Sequence, residues 1–371
     1  MKLTPDLNSR YTADHYSAPE AQRLAQFIAF GPAIFQTARI MLDRGILDML
    51  RDAPDPGLTR NQLCEKTGLS DYAMRCLLEA SLSAEIILVD PEAETYRLSK
   101  TGWFIVTDRS TRVNFAFNHL VNYRGWFDLE AALAEGRPAG LPTLGDWATV
   151  YEGLSQLEPD ARKAWLDFDH FYSDGSFPEA LKIVFSRKPK TLLDVGGNTG
   201  RWALKCVDYD SEVKVTILDL PGQIEMMQAN IKDRKGAERI DGIAVNLLDK
   251  DTPMPANRLF DAIWMSQFLD CFSAEQIVDI LQRAAYLLAP DGRLYIMETL
   301  WDRQRFETST LCLTMTSLYF TAIANGNSKM YESQQMIDLI NRAGLEVETM
   351  HDNLGLGHTI IVCRHPNSEN Q

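Results

Sequence analysis

The residues best suited to chemistry are carboxylates and glycines in three short stretches. In KTLLDVGGNTGRWALKC, residues 190–206, Asp194 stands just ahead of Gly196, Gly197 and Gly200. Glycines permit a tight turn and let a ligand approach the backbone closely. A dinucleotide fingerprint GxGxxG would need glycine at 195, where Val195 stands, which weakens that reading. A carboxylate at 194 would repel a pyrophosphate and attract an ammonium group. VKVTILDLP supplies the second stretch, with Asp219 nineteen residues after Gly200. An acid there accepts hydrogen bonds from both hydroxyls of an adenosine ribose. A ligand with adenosine, an ammonium group and no phosphate is S-adenosylmethionine.

The third stretch is FDAIWMSQFLDCFSAEQ, residues 260–276. Its apolar run, Ala262 to Leu269, ends in Asp270, and a helix is expected to begin at Ser273. Open α/β sheets hold ligands beyond the carboxyl ends of their strands, so Asp270 is placed to act on one. The alternative roles are a cap for the following helix, which Asp often supplies, or a solvent-facing carboxylate.

Alternating elements must position these groups. After the glycine motif, RIDGIAVNLLD, LFDAIWMSQF, GRLYIMET, LEVETMHDN and HTIIVCR read as strands, with helices between the first of them. Only Leu354 to Gly357 separates the last two, so a mostly parallel α/β sheet finished by an antiparallel hairpin is expected. Residues 1–110 differ. Apolar residues at helical spacing (Phe27, Ile28, Ile34, Phe35, Leu42) precede two short helices joined at Thr67-Gly68-Leu69-Ser70, and ILVDPEAETYRLS then reads as a hairpin. Two helices, a turn and a wing make a winged helix. Residues 111–190 read as helical and aromatic, a linker that would line the acceptor pocket together with the 305–330 segment. His119 and Phe168, Phe171 and Tyr172 fit structural roles. His170, one turn before Asp174-Gly175, is kept as a catalytic candidate.

Charge and composition narrow the function. The 371 residues carry 51 acids against 37 bases, a net charge of −14, which argues against a nucleic-acid or anionic-membrane surface. The would-be recognition helix sets Arg75 against Asp71 and Glu79, and the wing adds Asp90, Glu92 and Glu94. Such a face repels a phosphate backbone, so the winged helix is read as a dimerisation surface rather than a DNA reader. Phe27, Phe35 and Leu42 are expected to need a second copy to cover them. No apolar run is long enough to span a bilayer, and the first twenty residues lack a secretory apolar core. Six scattered cysteines without a CxxC pair suggest reduced thiols, no metal site and a cytoplasmic location.

From Gln22 to Arg364 the chain resembles the plant-type and antibiotic-pathway class I O-methyltransferases. The resemblance rests on DVGGNTG at 194–200, where Asn198 replaces the usual third glycine, and on DLP at 219–221. It implies a Rossmann-like methyltransferase sheet behind an N-terminal winged-helix dimerisation domain, with S-adenosylmethionine as donor. It implies cofactor contacts at Asp194, Gly196, Gly197, Gly200, Asp219 and Leu220, adenine contacts at Asn246 and Leu247, and a cofactor-side role for Gln267, where many members carry a basic residue. The family's catalytic histidine falls on Asp270. The glutamate that orients that histidine falls on Glu298, and a second orienting glutamate, expected near GNSKMYES, has no counterpart. The implied activity is methylation of a hydroxylated aromatic small molecule, on oxygen by family habit. Methylation of a ring carbon and a catalytically weak, regulatory cofactor-binding role are the alternatives.

Overall fold

The computed structural model describes residues 3, 5–249 and 258–366. The chain forms two compact units, Thr12–His119 and Leu120–Gln371 together with Met1–Tyr11. The expected division at 110 falls inside the first unit. Helix Arg109–Phe117 stays with it because Phe115 stacks on Phe35, ring centroids 5.1 Å apart. The helix Pro5–Tyr11 goes to the second unit, where Arg10 pairs with Glu307 at 2.9 Å.

In the first unit, helices Arg60–Thr67 and Asp71–Ser83 are joined through Gly68 in the left-handed region, and Ser70 caps the second by accepting the Ala73 amide. Strands β1 (Leu58–Thr59), β2 (Ile87–Asp90) and β3 (Thr95–Leu98) form a small antiparallel sheet in the order β1-β3-β2. This is the winged helix read from the sequence. The apolar surface differs from the expectation. Phe27 and Leu42 pack partly buried against the unit's own core. Leu24, Ile28 and Phe30, by contrast, are 40%, 72% and 62% exposed, and helix Ala18–Ala29 buries no residue.

The second unit is a seven-stranded sheet in the order β6-β5-β4-β7-β8-β10-β9. Its strands are β4 (Thr191–Val195), β5 (Lys214–Asp219), β6 (Ile240–Ala244), β7 (Phe260–Ser266), β8 (Leu288–Glu298), β9 (Glu346–Leu354) and β10 (His358–Arg364). The first five in spatial order are parallel. The last two form the antiparallel hairpin. Both faces are covered, so the central strands are apolar almost throughout; β4 buries Leu192, Leu193, Asp194 and Val195. Strand order reverses at β4, between β5 and β7. That is the switch point where a sheet of this kind opens a crevice at its carboxyl edge. Asp194, Asp219, Asp270 and Glu298 all follow or end the strands that meet there.

Candidate functional site

The donor half of the crevice is built from β4 and β5. Gly196 has φ 76°, and a Cβ there would fall 2.3 Å from the Phe268 ring, so glycine is required by both backbone and neighbour. At Gly197 a Cβ would meet the Asp194 carboxylate at 2.7 Å. The absent side chain is what lets that carboxylate lie against the turn. Asn198 holds φ 48°, which asparagine tolerates better than most residues, and this explains how it replaces a glycine. Its amide donates to Asp219 Oδ2 at 2.8 Å, while the Leu220 amide donates to Oδ1 at 2.7 Å. Gly200, at φ 77°, precedes helix Arg201–Tyr209.

These carboxylates are unusual. Asp194 is 3% exposed, and its Oδ2 has no hydrogen-bond partner. Burial, then the charge on Asp219, push it up to about 8. Burial likewise raises Asp219 to about 6, against the pull of its two backbone donors. An orphaned buried carboxylate beside a glycine turn calls for a cation, and Asp219 retains lone pairs for hydroxyl donors. The residues therefore fit S-adenosylmethionine: Asp194 toward the ammonium group, Asp219 toward the ribose. Asn246 follows β6, beside β5 through a Val245 amide bond to the Asp219 carbonyl at 2.8 Å. Its Oδ1 accepts the Leu248 amide at 3.0 Å, which closes the loop. Leu247 is buried, and its carbonyl accepts from Arg283. Gln267, at the end of β7, has φ 46° and a buried Oε1 without a partner. Strained non-glycine backbone of this kind gathers at functional sites.

Beyond β7 the chain enters the turn 267–272. Asp270 lies in a single helical turn, Leu269–Cys271, and is 4% exposed. Neither alternative role holds. The helix that follows, Ala274–Ala285, is capped by Ser273 in a capping box with Gln276, and Asp270 does not face solvent. Glu298 ends β8, 2% exposed, and its Oε1 accepts the amides of Phe268 at 3.1 Å and Leu269 at 2.8 Å. It braces the backbone that carries Asp270. Two residues from 325–331, where the resemblance left the second glutamate without a counterpart, hold the same turn. Asn325 donates its amide to the Cys271 carbonyl, and Tyr331 donates to the Phe272 carbonyl at 2.7 Å.

Burial raises Asp270 to about 7, with the charge on Asp169 adding to it and the Cys271 thiol opposing it. Glu298 is raised further, by burial and then by the charge on Asp270. The charge on Asp169 acts on Asp270, and Asp270 and Glu298 act on one another. Burial shifts both carboxyls toward the protonated form.

His170 is not brought to this turn. It sits half-buried on helix Pro159–Ser173, with Nδ1 3.8 Å from both Asp169 and Asp174. Burial and the Arg201 charge lower its affinity for a proton. It lines a cavity of about 390 Å³ with Arg162, Lys163, Thr199 and Arg201. The adjacent Asp169 is the residue of this helix whose charge reaches Asp270, and its carboxylate lies 3.5 Å from Asn198 Nδ2. Sequence reading missed Asp169, Tyr151, Asn325 and Tyr331. Only Cys271, next to Asp270, carried a local signal.

Comparison with known proteins bears on the two units as wholes. Residues 22–96 match the Dimerisation2-like domain, and residues 177–346 match the O-methyltransferase domain. Among curated proteins, the chain is 21% identical over 327 residues to the L-tyrosine C(3)-methyltransferase of Streptomyces lavendulae, spanning 87% of this chain and 86% of that one. It is 23% identical to human acetylserotonin O-methyltransferase over 78% of this chain and 83% of that protein. Among solved structures, the mitomycin 7-O-methyltransferase MmcR superposes with a TM-score of 0.70 at 20% identity, covering 93% of this chain and 98% of its own. The O-methyltransferase NcsB1, solved with S-adenosylmethionine and 2-hydroxy-5-methyl naphthoic acid, gives 0.66 at 16% identity, over 90% and 96%.

Proposed function

We propose, from the premise that this chain belongs to the S-adenosylmethionine-dependent O-methyltransferases, that its acceptor is a hydroxylated aromatic small molecule whose hydroxyl donates to Asp270. The observation that carries the reading is a buried carboxylate at the carboxyl edge of β7, raised to about 7, on a turn whose backbone Glu298 holds. When bound, the cofactor supplies a methyl group already activated on a sulfonium. Asp194 neutralises an ammonium and Asp219 accepts from two hydroxyls, which fixes the donor in the crevice. The turn 267–272 then fixes the acceptor. Positioning of this kind contributes roughly 7–11 kcal/mol. A base near its working pH adds about 10²–10⁴-fold. Asp270 takes the hydroxyl proton as the oxygen gains its new bond, and releases it to water afterwards. Relatives named for L-tyrosine and acetylserotonin, and the neighbour solved with a hydroxynaphthoic acid, support a phenolic acceptor. A place in secondary metabolism follows from such an acceptor.

The pH profile tests the assignment. Asp270 acts as the carboxylate, so turnover should fall as pH drops through about 7 and stay level above it until another group titrates. A profile flat from pH 9 to pH 5 would remove Asp270 from the reaction.

A second reading, methylation of the ring carbon beside the hydroxyl, is favoured by the name of the tyrosine C(3)-methyltransferase relative, whose match covers 87% of the chain. A carboxylate that accepts a phenolic hydrogen pushes electron density into the ring as well as onto oxygen. NMR of the product separates the two, because an O-methyl product loses its free phenol and a C-methyl product keeps it.

We place the protein in the cytoplasm as a homodimer, without nucleic-acid or membrane partners. No described cysteine is in a disulfide, and no helix among the described residues is long and apolar enough to cross a membrane. Arg60 and Arg75, the cations nearest the start of helix Asp71–Ser83, are both paired with Asp71. The exposed Leu24, Ile28 and Phe30 belong to the dimerisation-type domain and want a cover. Sedimentation should show a dimer at micromolar concentration, and Ile28→Asp with Phe30→Asp should give monomer. A wild-type monomer at that concentration would contradict the dimer.

A further inference from the structure

We propose that Cys271 is a positioning residue for the acceptor chemistry: its thiol donates to Asp270, is backed by the Tyr151 hydroxyl, and keeps the carboxylate oriented to accept the substrate's hydrogen. The inference rests on the reading of Asp270 as hydrogen acceptor.

Geometry carries it. Cys271 Sγ lies 3.5 Å from Asp270 Oδ1, and this is the one side-chain donor bonded to that carboxylate among the described residues. Both residues ride on a turn whose backbone is fixed from three sides, by Glu298, Asn325 and Tyr331. Their relative placement is therefore set rather than adjustable. Tyr151, on the short helix Val150–Gly153, carries a buried hydroxyl that no hydrogen bond engages, and it lies close enough to act on the Cys271 thiol.

The electrical setting explains why a weak donor matters here. The groups that act on Asp270, or that its charge reaches, are Asp169 from helix Pro159–Ser173, Glu298 from β8, Tyr319 from helix Glu307–Tyr319, Tyr331 and Tyr151. These are acids and hydroxyls, with no lysine or arginine among them. Burial and the charge on Asp270 push the thiol well above its ordinary range, so it stays protonated and serves as a donor rather than a nucleophile. The S–H bond is thus the side-chain interaction that favours the ionised carboxylate over the protonated acid.

The test is kcat against pH at saturating donor and phenolic acceptor, for Cys271→Ala, Cys271→Ser and Tyr151→Phe. Losing a donor to a charged acceptor should move the acid limb of Cys271→Ala upward by about one unit, lowering turnover about fivefold at pH 7, approaching tenfold below pH 6, and sparing it at pH 9. Cys271→Ser, with a stronger donor, should restore the limb to its wild-type position or lower. Tyr151→Phe should shift it upward by less. Cofactor affinity by calorimetry should be unchanged in all three, which also shows that the variants fold. An unmoved limb in Cys271→Ala, or equal losses in the alanine and serine variants at every pH, would overturn the role. Asp270→Asn run alongside separates the two claims. If it loses turnover while Cys271→Ala leaves the limb in place, only the thiol's role fails. If Asp270→Asn keeps full turnover, the reading of Asp270 fails and this inference falls with it.

Discussion

Asp270→Asn is expected to lower turnover by about 10²–10⁴-fold while leaving the affinity for S-adenosylmethionine unchanged. The substitution keeps the shape of the side chain and an oxygen for the Cys271 thiol, but it removes the capacity to take a proton. The turn itself should survive, because Glu298, Asn325 and Tyr331 hold its backbone rather than the Asp270 side chain. The helix after it should survive as well, since Ser273 is its cap. A loss of activity in this variant is therefore a loss of chemistry. Stopped assays for S-adenosylhomocysteine, paired with calorimetry for donor binding, measure both quantities. Near-normal turnover would return Asp270 to a structural role.

Asp219→Ala should weaken donor binding by at least tenfold, and by about a hundredfold if both ribose hydroxyls lose their acceptor. Hydrogen bonds to a charged group contribute about 1.5–3 kcal/mol each. The same change frees the Asn198 and Leu220 amides that now donate to this carboxylate, so the glycine turn loses its tie to β5. Asp219→Asn keeps one oxygen acceptor and should fall between wild type and alanine. Calorimetric affinity unchanged in Asp219→Ala would rule out this placement of the ribose.

The sequence made the donor half legible because its signals are local. An apolar run, an acid and glycines occupy nine consecutive positions, Leu192 to Gly200, and helix Arg201–Tyr209 begins where that pattern ends. The antiparallel hairpin was equally plain, since four residues between two strands leave room for nothing else. The turn 267–272 was legible only at Glu298, which ends β8, and at Asp270, which lies just past the end of β7. Asp169, Tyr151, Asn325 and Tyr331 arrive from helices and loops far away in the chain, and only tertiary packing gathers them. Helical phase explains two misses. Neighbouring helix residues differ by about 100° in direction, and the sequence does not say which one turns inward. His170 was singled out where Asp169 is the residue whose charge reaches Asp270. Phe27 and Leu42 were expected to want a partner where Leu24, Ile28 and Phe30 are the ones left open.

The central claim is that a carboxylate in this crevice accepts the hydrogen of a phenol while the cofactor's methyl group is transferred. Its most direct test is formation of S-adenosylhomocysteine from S-adenosylmethionine with a panel of hydroxylated aromatics, each beside the same ring lacking its hydroxyl. The account predicts turnover with at least one phenol, none with its deoxy partner, and loss of that turnover in Asp270→Asn. Turnover that does not depend on the hydroxyl, or binding of the donor with no turnover on any phenol, would contradict it.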